Sequence, residues 1–189
     1  MISMNSKQKI SQALGVVITA LFTFSLHAQE YVMDPNWPKP LPERIEWGQV
    51  PNVTIDNEGF IYAFHRSDPP VLKFDKDGKY LMHFGAKGNG LKEFNTAHGM
   101  TLDTRYDPPR LLICDRNHQP KGRLLHYSLE GEYIAEVITG LGMPTSVAIQ
   151  GDFVSVPDLH GRVVILDKSN TIMAVLGHNP DPGKGRSFG

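Results

Sequence analysis

From residue 51 onward, apolar and aromatic positions arrive in short runs of about five residues, each bounded by Asn, Asp, Gly or Pro. The first runs cover 53–56, 60–65, 71–75 and 80–84, with Asn57-Glu58-Gly59 and Lys76-Asp77-Gly78 as turns and Pro69-Pro70 in the loop between the middle two. Runs this short, rich in aromatic and β-branched types, predict strands joined by tight turns rather than helices. The pattern then recurs. A second set covers 98–103, 110–115, 124–127 and 133–138, with its turn at Leu129-Glu130-Gly131. A third covers 145–149, 152–156, 162–167 and 172–177, with its turn at Lys168-Ser169-Asn170. Asp56, Asp103 and Gln150 hold the same place in the three sets, 47 residues apart each time. Four strands per period at this length predict an all-β chain and a β-propeller, one repeat per blade. A sandwich of similar hairpins is the alternative.

The expected organisation is a leader at 1–28, an extended Pro-rich approach at 29–50, blade one with its connector at 51–97, blade two at 98–143, blade three at 144–177, and a connector to a further blade at 178–189. Lys7 and Lys9 precede an apolar run at 13–26, and Ala28 sits where a signal peptidase would cut. That order of features predicts a cleaved secretory signal and a secreted or periplasmic protein. The run is short for a spanning helix, so no stable membrane anchor is expected. Trp37 and Trp47 in the approach segment are expected to pack on the first blade. Propellers close with about four to eight blades, because closure removes exposed sheet edges. Three blades therefore leave an incomplete ring. A longer reading frame is the preferred explanation, with subunits that complete the ring together as the other.

Composition narrows the function classes. Hydrophobic residues make up 40% of the 189 and charged ones 21%, an ordinary globular balance, and the formal net charge of −1 with dispersed Lys and Arg gives no electrostatic basis for nucleic acid as a partner. Cys114 is the only cysteine, so the chain cannot form an internal disulfide; its place inside an apolar run predicts a buried thiol.

The candidate chemistry lies at the ends of the runs. His98 opens blade two and is expected at the inner edge near the channel, where imidazoles from several blades could gather around Zn²⁺, which takes about four N, O or S ligands. A hydrogen-bonded turn histidine is the other reading. Arg66 ends the second strand of blade one and could grip a carboxylate with its planar fork, or form a surface ion pair with Asp68 or Asp115. Asp115-Arg116-Asn117-His118 and Asp158-Leu159-His160-Gly161-Arg162 follow the corresponding strands of blades two and three, which suggests a shared polar rim around one mouth. Residues 182–187 lack the spacing of a phosphate loop, and no GxSxG, HExxH or CxxC occurs. Asn52-Val53-Thr54 fits a glycosylation sequon, a pattern too short to carry weight.

The DxxGxIY, FDxxGKY and closing FG pattern of the first blade resembles the NHL repeat, found in six-bladed propellers. Phe64-His65-Arg66-Ser67-Asp68, His98-Gly99-Met100-Thr101-Leu102-Asp103 and Gly142-Met143-Pro144-Thr145-Ser146-Val147-Ala148 resemble the blade openings of the peptidyl-α-hydroxyglycine α-amidating lyases. The resemblance covers roughly residues 50–177. It implies a zinc ion held by three blade-opening histidines with His98 as the first, a channel calcium held largely by backbone, Arg66 near the reacting group, and cleavage of a C-terminal α-hydroxyglycine. Where that family has a catalytic tyrosine, this chain has Leu159-His160-Gly161, and His160 is the acid or base that could replace it. The expected function is thus an exported NHL-type propeller related to the amidating lyases, a zinc-dependent lyase if an enzyme. The alternative is a non-catalytic propeller that binds a protein, peptide or glycan through its loop rim. A sugar-lactone hydrolase would need converging carboxylate ligands, which the blade openings do not clearly offer.

Overall fold

The structure is a computed structural model that describes residues 30–177; the expected signal segment and the final connector lie outside the described residues. Three four-stranded antiparallel sheets account for nearly all the regular structure. The first contains β1 (Asn52–Ile55), β2 (Ile61–Phe64), β3 (Val71–Phe74) and β4 (Tyr80–Phe84), in that order across the sheet. In the connector, β5 (Ala86–Lys87) and β6 (Glu93–Phe94) form a small parallel pair that the run pattern does not predict. The second sheet holds β7 (Ala97–Asp103), β8 (Arg110–Asp115), β9 (Gly122–Tyr127) and β10 (Tyr133–Leu141). The third holds β11 (Ala148–Gln150), β12 (Phe153–Asp158), β13 (Arg162–Leu166) and β14 (Ile172–Leu176). Each sheet is a meander in chain order, and the three do not close a ring.

Side-chain acceptors set the turns. Asp56 Oδ1 accepts from the amides of Glu58 and Phe60, Asp75 Oδ1 from those of Asp77 and Lys79, and Ser128 Oγ from those of Glu130 and Glu132. Each turn closes on a residue in the left-handed region, which glycine enters without a Cβ penalty; in blade three Asn170, at φ 61°, takes that place.

The middle strands of blades one and two are buried on both faces, which is why they read as continuous apolar runs instead of alternating ones. Tyr62, Phe64, Val71 and Phe84 of blade one pack against Met100, Leu111, Ile113, Leu125 and Tyr127 of blade two. Leu112, Cys114 and Leu124 on the other face of blade two meet Val154, Val156, Val164 and Leu166 of blade three. Polar ties cross the same seams. Lys73 Nζ donates to the Leu129 carbonyl at 3.0 Å, and Arg105 donates to the Asp167 carbonyl and to Asn170 Oδ1, both at 3.0 Å. Each blade therefore grips the last turn of the next.

The two ends of the array differ. The remaining face of blade one, Ile61, Ala63, Leu72 and Phe74, is covered by Leu41 and Ile45 of the approach segment, and Trp47 stacks on Phe74 with ring centroids 5.8 Å apart. Trp37 lies against the Gly78 turn, where Lys39 donates its amide to the Gly78 carbonyl. The corresponding face of blade three stays open, with Phe153 half exposed beside a hollow lined by Ala148, Gln150, Ser155 and Ile165.

Candidate functional site

The mouth where β2, β8 and β12 end is built on one repeated latch. In blade two, Asp115 Oδ1 accepts from the amides of Asn95 and Thr96, at 2.9 and 3.2 Å. In blade three, Asp158 accepts from Gly142 at 2.7 Å and Met143 at 2.9 Å. Blade one uses an imidazole: His65 Nδ1 accepts from the Gly48 amide at 3.1 Å, and Nε2 donates to the Pro69 carbonyl at 2.7 Å. Gly48, Asn95 and Gly142 are 47 residues apart, so the same incoming turn is tied to the same strand end in every blade. His65, Asp115 and Asp158 are buried, and the polar rim expected from the sequence is in this part an internal fastening.

Burial acts on each latch differently. Desolvation pushes the His65 imidazole below its ordinary pKa against the opposing Pro69 bond, so it serves as a neutral group. For Asp158 burial alone would raise the pKa; the amides of Met143, His160 and Gly142, followed by Arg162, outweigh it and hold the carboxyl low. Asp115 goes the other way, raised chiefly by burial despite the Thr96 and Asn95 amides and the Arg123 charge.

The residue after each latch is also equivalent. Arg66, Arg116 and Leu159 donate their amides to the carbonyls of Gln49, Thr96 and Met143. Two blades therefore present an arginine from the same backbone frame, and the third presents an exposed leucine. Arg66 sends Nη1 to Gln49 Oε1 at 2.7 Å and Nε to the Ala97 carbonyl at 3.5 Å, next to His98; it forms no ion pair with Asp68 or Asp115.

His98 sits at the start of β7, half-buried, and its Nδ1 donates to the Thr145 carbonyl at 2.5 Å. His98 and Thr145 are themselves 47 residues apart, so this is a contact between the opening positions of neighbouring blades. Gly99 permits it, because a Cβ there would stand 2.8 Å from the Ser146 Cα and the Thr145 oxygen. Burial first, and then the charges of Arg116 and Arg66, depress the His98 pKa against the Thr145 bond.

The structure thus joins Arg66 to His98 and adds Arg116, which the sequence reading named only as part of a rim. His160 has other contacts: its amide donates to Asp158 Oδ1 at 3.0 Å, and its ring lies beside Gly142 in the turn that enters blade three. Sequence reasoning also missed Lys87, which lines a cavity of about 130 Å³ with Arg66, Ser67, Asn95 and Thr96. The available signal was the long connector on a rigid scaffold, a usual place for binding residues. Among the described residues no group of three or more His, Cys, Asp and Glu side chains converges as a metal site. No helix among them is long and apolar enough to cross a membrane.

Three four-stranded blades repeated at one period, fastened at one mouth by equivalent latches, define a β-propeller. Residues 42–148 match the family DUF5128, described as a 6-bladed beta-propeller, and the chain belongs to that family. Among solved structures it is similar to a protein of unknown function from Bacteroides caccae, at 15% identity and a TM-score of 0.49, over 74% of this chain and 48% of that one. It is similar to the computationally designed Ika4 protein at 10% identity and a TM-score of 0.48, over 71% of this chain and 77% of that one. A chain of a nidogen/laminin complex matches at 13% identity and a TM-score of 0.38, over 67% of this chain and 62% of that one. The chain spans about half the length of the Bacteroides caccae protein. No curated protein sequence matches it.

Proposed function

We propose that the chain forms the ligand-binding part of an exported six-bladed propeller, and that a small molecule or peptide is taken at the mouth where β2 and β8 end and β7 begins. One observation carries this reading. At that mouth the buried latch residues are spent on backbone amides, whereas Arg66, His98 and Arg116 meet on the frame so fixed and form no ion pair among the described residues. Side chains held in place by a rigid scaffold, with charge that no ion pair consumes, are what a binding site requires. The test is an array of peptides and glycans probed with the full chain. Binding that Arg66→Ala and His98→Ala abolish supports the reading; a blank array, or binding indifferent to both substitutions, overturns it.

A second reading, an NHL-type lyase related to the amidating lyases, is favoured by the His98 geometry. With Nδ1 donating to Thr145, the Nε2 lone pair is free, the tautomer a metal-bound imidazole needs. The described residues fit zinc through this one ligand, and any partner histidines lie beyond them. A bound zinc would supply Lewis-acid polarisation of a substrate oxygen. Arg66 would orient a charged substrate group through its fork of donors. The proton-transfer role of His160 requires a substrate long enough to reach blade three. Calcium remains a proposal of the resemblance, with no residue assigned. Stoichiometric zinc and cleavage of an α-hydroxyglycine peptide, both lost in His98→Ala, are the expected results; a folded chain that takes up no zinc sinks this second reading alone.

A further inference from the structure

We infer that the mouth is built to hold an oxyanion, a carboxylate or phosphate group, against Arg66 and Lys87, with the charge of Arg116 close by. The inference rests on the mouth being a ligand site and names the chemistry that site selects. Arg66 and Arg116 occupy equivalent positions on adjacent blades, each fixed by its amide on a carbonyl of the incoming turn. Among the described residues their charges have no carboxylate to meet. Asp68 Oδ1 accepts the Lys87 backbone amide at 3.2 Å, and Asp115 serves Asn95 and Thr96 with one oxygen while the other faces Arg123 and His118. Arg66 Nη1 rests on a neutral amide oxygen of Gln49.

Arg116 Nε is buried and has no hydrogen-bond partner. Its charge is therefore uncompensated among the described residues and adds to the positive potential of the mouth. Space is present as well. The cavity of about 130 Å³ beside Arg66 is lined by Lys87, Ser67, Asn95 and Thr96, and it has room for a small oxyanion with Arg66, Lys87 and the Ser67 hydroxyl on its wall.

The test is a titration of the full chain with sodium acetate and, separately, sodium phosphate at constant ionic strength set by sodium chloride. Calorimetry gives the affinity. Saturable binding is expected, because the anion meets cationic groups that no carboxylate compensates among the described residues. Arg66→Gln and Lys87→Gln should each weaken binding by about tenfold or more, the loss of one charge-assisted hydrogen bond, and Arg116→Gln by less, through the lost charge alone. Arg66 and Lys87 are exposed, so those two variants test the site even if Arg116→Gln disturbs folding. Saturation by acetate alone assigns a carboxylate, and saturation by phosphate assigns a phosphoryl group. No saturable heat with either anion overturns the inference, as does saturation that survives Arg66→Gln and Lys87→Gln. If both anions fail while array binding still depends on Arg66 and His98, the oxyanion is wrong and the ligand site stands.

Discussion

Replacing Arg105 with methionine should cost about 3–5 kcal/mol of folding stability, a large fraction of what a domain of this size possesses. The Arg105 side chain is almost fully buried at the seam between blades two and three. Its Nε meets Asp103 Oδ1 at 2.8 Å, one Nη meets Asp103 Oδ2 at 2.7 Å, and further bonds reach the Asp167 carbonyl and Asn170. Methionine retains an apolar stem of similar length but leaves the buried Asp103 carboxylate with His126, whose Nε2 donates at 2.9 Å, and the backbone amide of residue 105, at 3.1 Å, and with no guanidinium. It also strips a donor from the turn of the next blade. Burial would raise the Asp103 pKa, yet bonds from Arg105 and His126 and the Arg105 charge hold it well below the ordinary range. A carboxyl depressed on folding stabilises the protein above its unfolded pKa of about 3.9 and loses that contribution as pH falls through the folded value. The gap between wild type and Arg105→Met should therefore be widest near neutral pH and narrow in acid. Urea unfolding followed by tryptophan fluorescence, at several pH values, measures it. Asp103→Asn combined with Arg105→Met should recover part of the loss, since removing both partners strands no charge. A loss below about 1 kcal/mol at pH 7, or a double variant no more stable than Arg105→Met, would refute the account of this seam.

His65→Ala should cost about 2–4 kcal/mol by stranding the Gly48 amide and the Pro69 carbonyl. Because burial lowers the His65 pKa, wild type should lose stability as pH drops below about 6.5, and His65→Gln should flatten that slope while the smaller share from His98, shifted the same way, remains; identical urea midpoints between pH 5 and 8 for both proteins would count against this. Gly99→Ala should lower the melting temperature by forcing blades two and three apart, at a cost of about 1–3 kcal/mol, and an unchanged midpoint in a thermal scan would contradict it. Cys114 is fully buried and burial drives its thiol pKa far upward, so a thiol reagent should react only as the protein unfolds in urea; fast modification of the native chain would show the site to be open.

Much of the fold was legible because turn chemistry and strand length are local. Asp56, Asp75 and Ser128 mark their turns through bonds to amides two and four residues on, and such bonds leave a readable spacing. The β5–β6 pair left no such mark, since two residues on each side carry no periodicity. At the mouth, His98 and Arg66 could be chosen as polar residues at strand ends, but their proximity could not. Arg116 and Lys87 were harder still, because the first looked like one member of a charged loop and the second like any exposed lysine. His160 shows the converse: its equivalent loop position suggested a shared site, while its contacts are with Asp158 and the Gly142 turn.

The residues by themselves determined the number of blades present, the strands in each and the 47-residue period, because a repeat is a statement about local pattern copied along the chain. Only the tertiary structure decided which polar groups are consumed and which are left over. His65, Asp115 and Asp158 look like rim chemistry in one dimension, and in three they are buried fasteners for Gly48, Asn95 and Gly142. The pairing of Arg66 with His98, and the absence of a carboxylate for Arg66 or Arg116 among the described residues, depend on how neighbouring blades lean together. Charge and hydrogen-bond capacity are properties of a residue, but whether they are satisfied is a property of its surroundings, and packing between distant segments sets those.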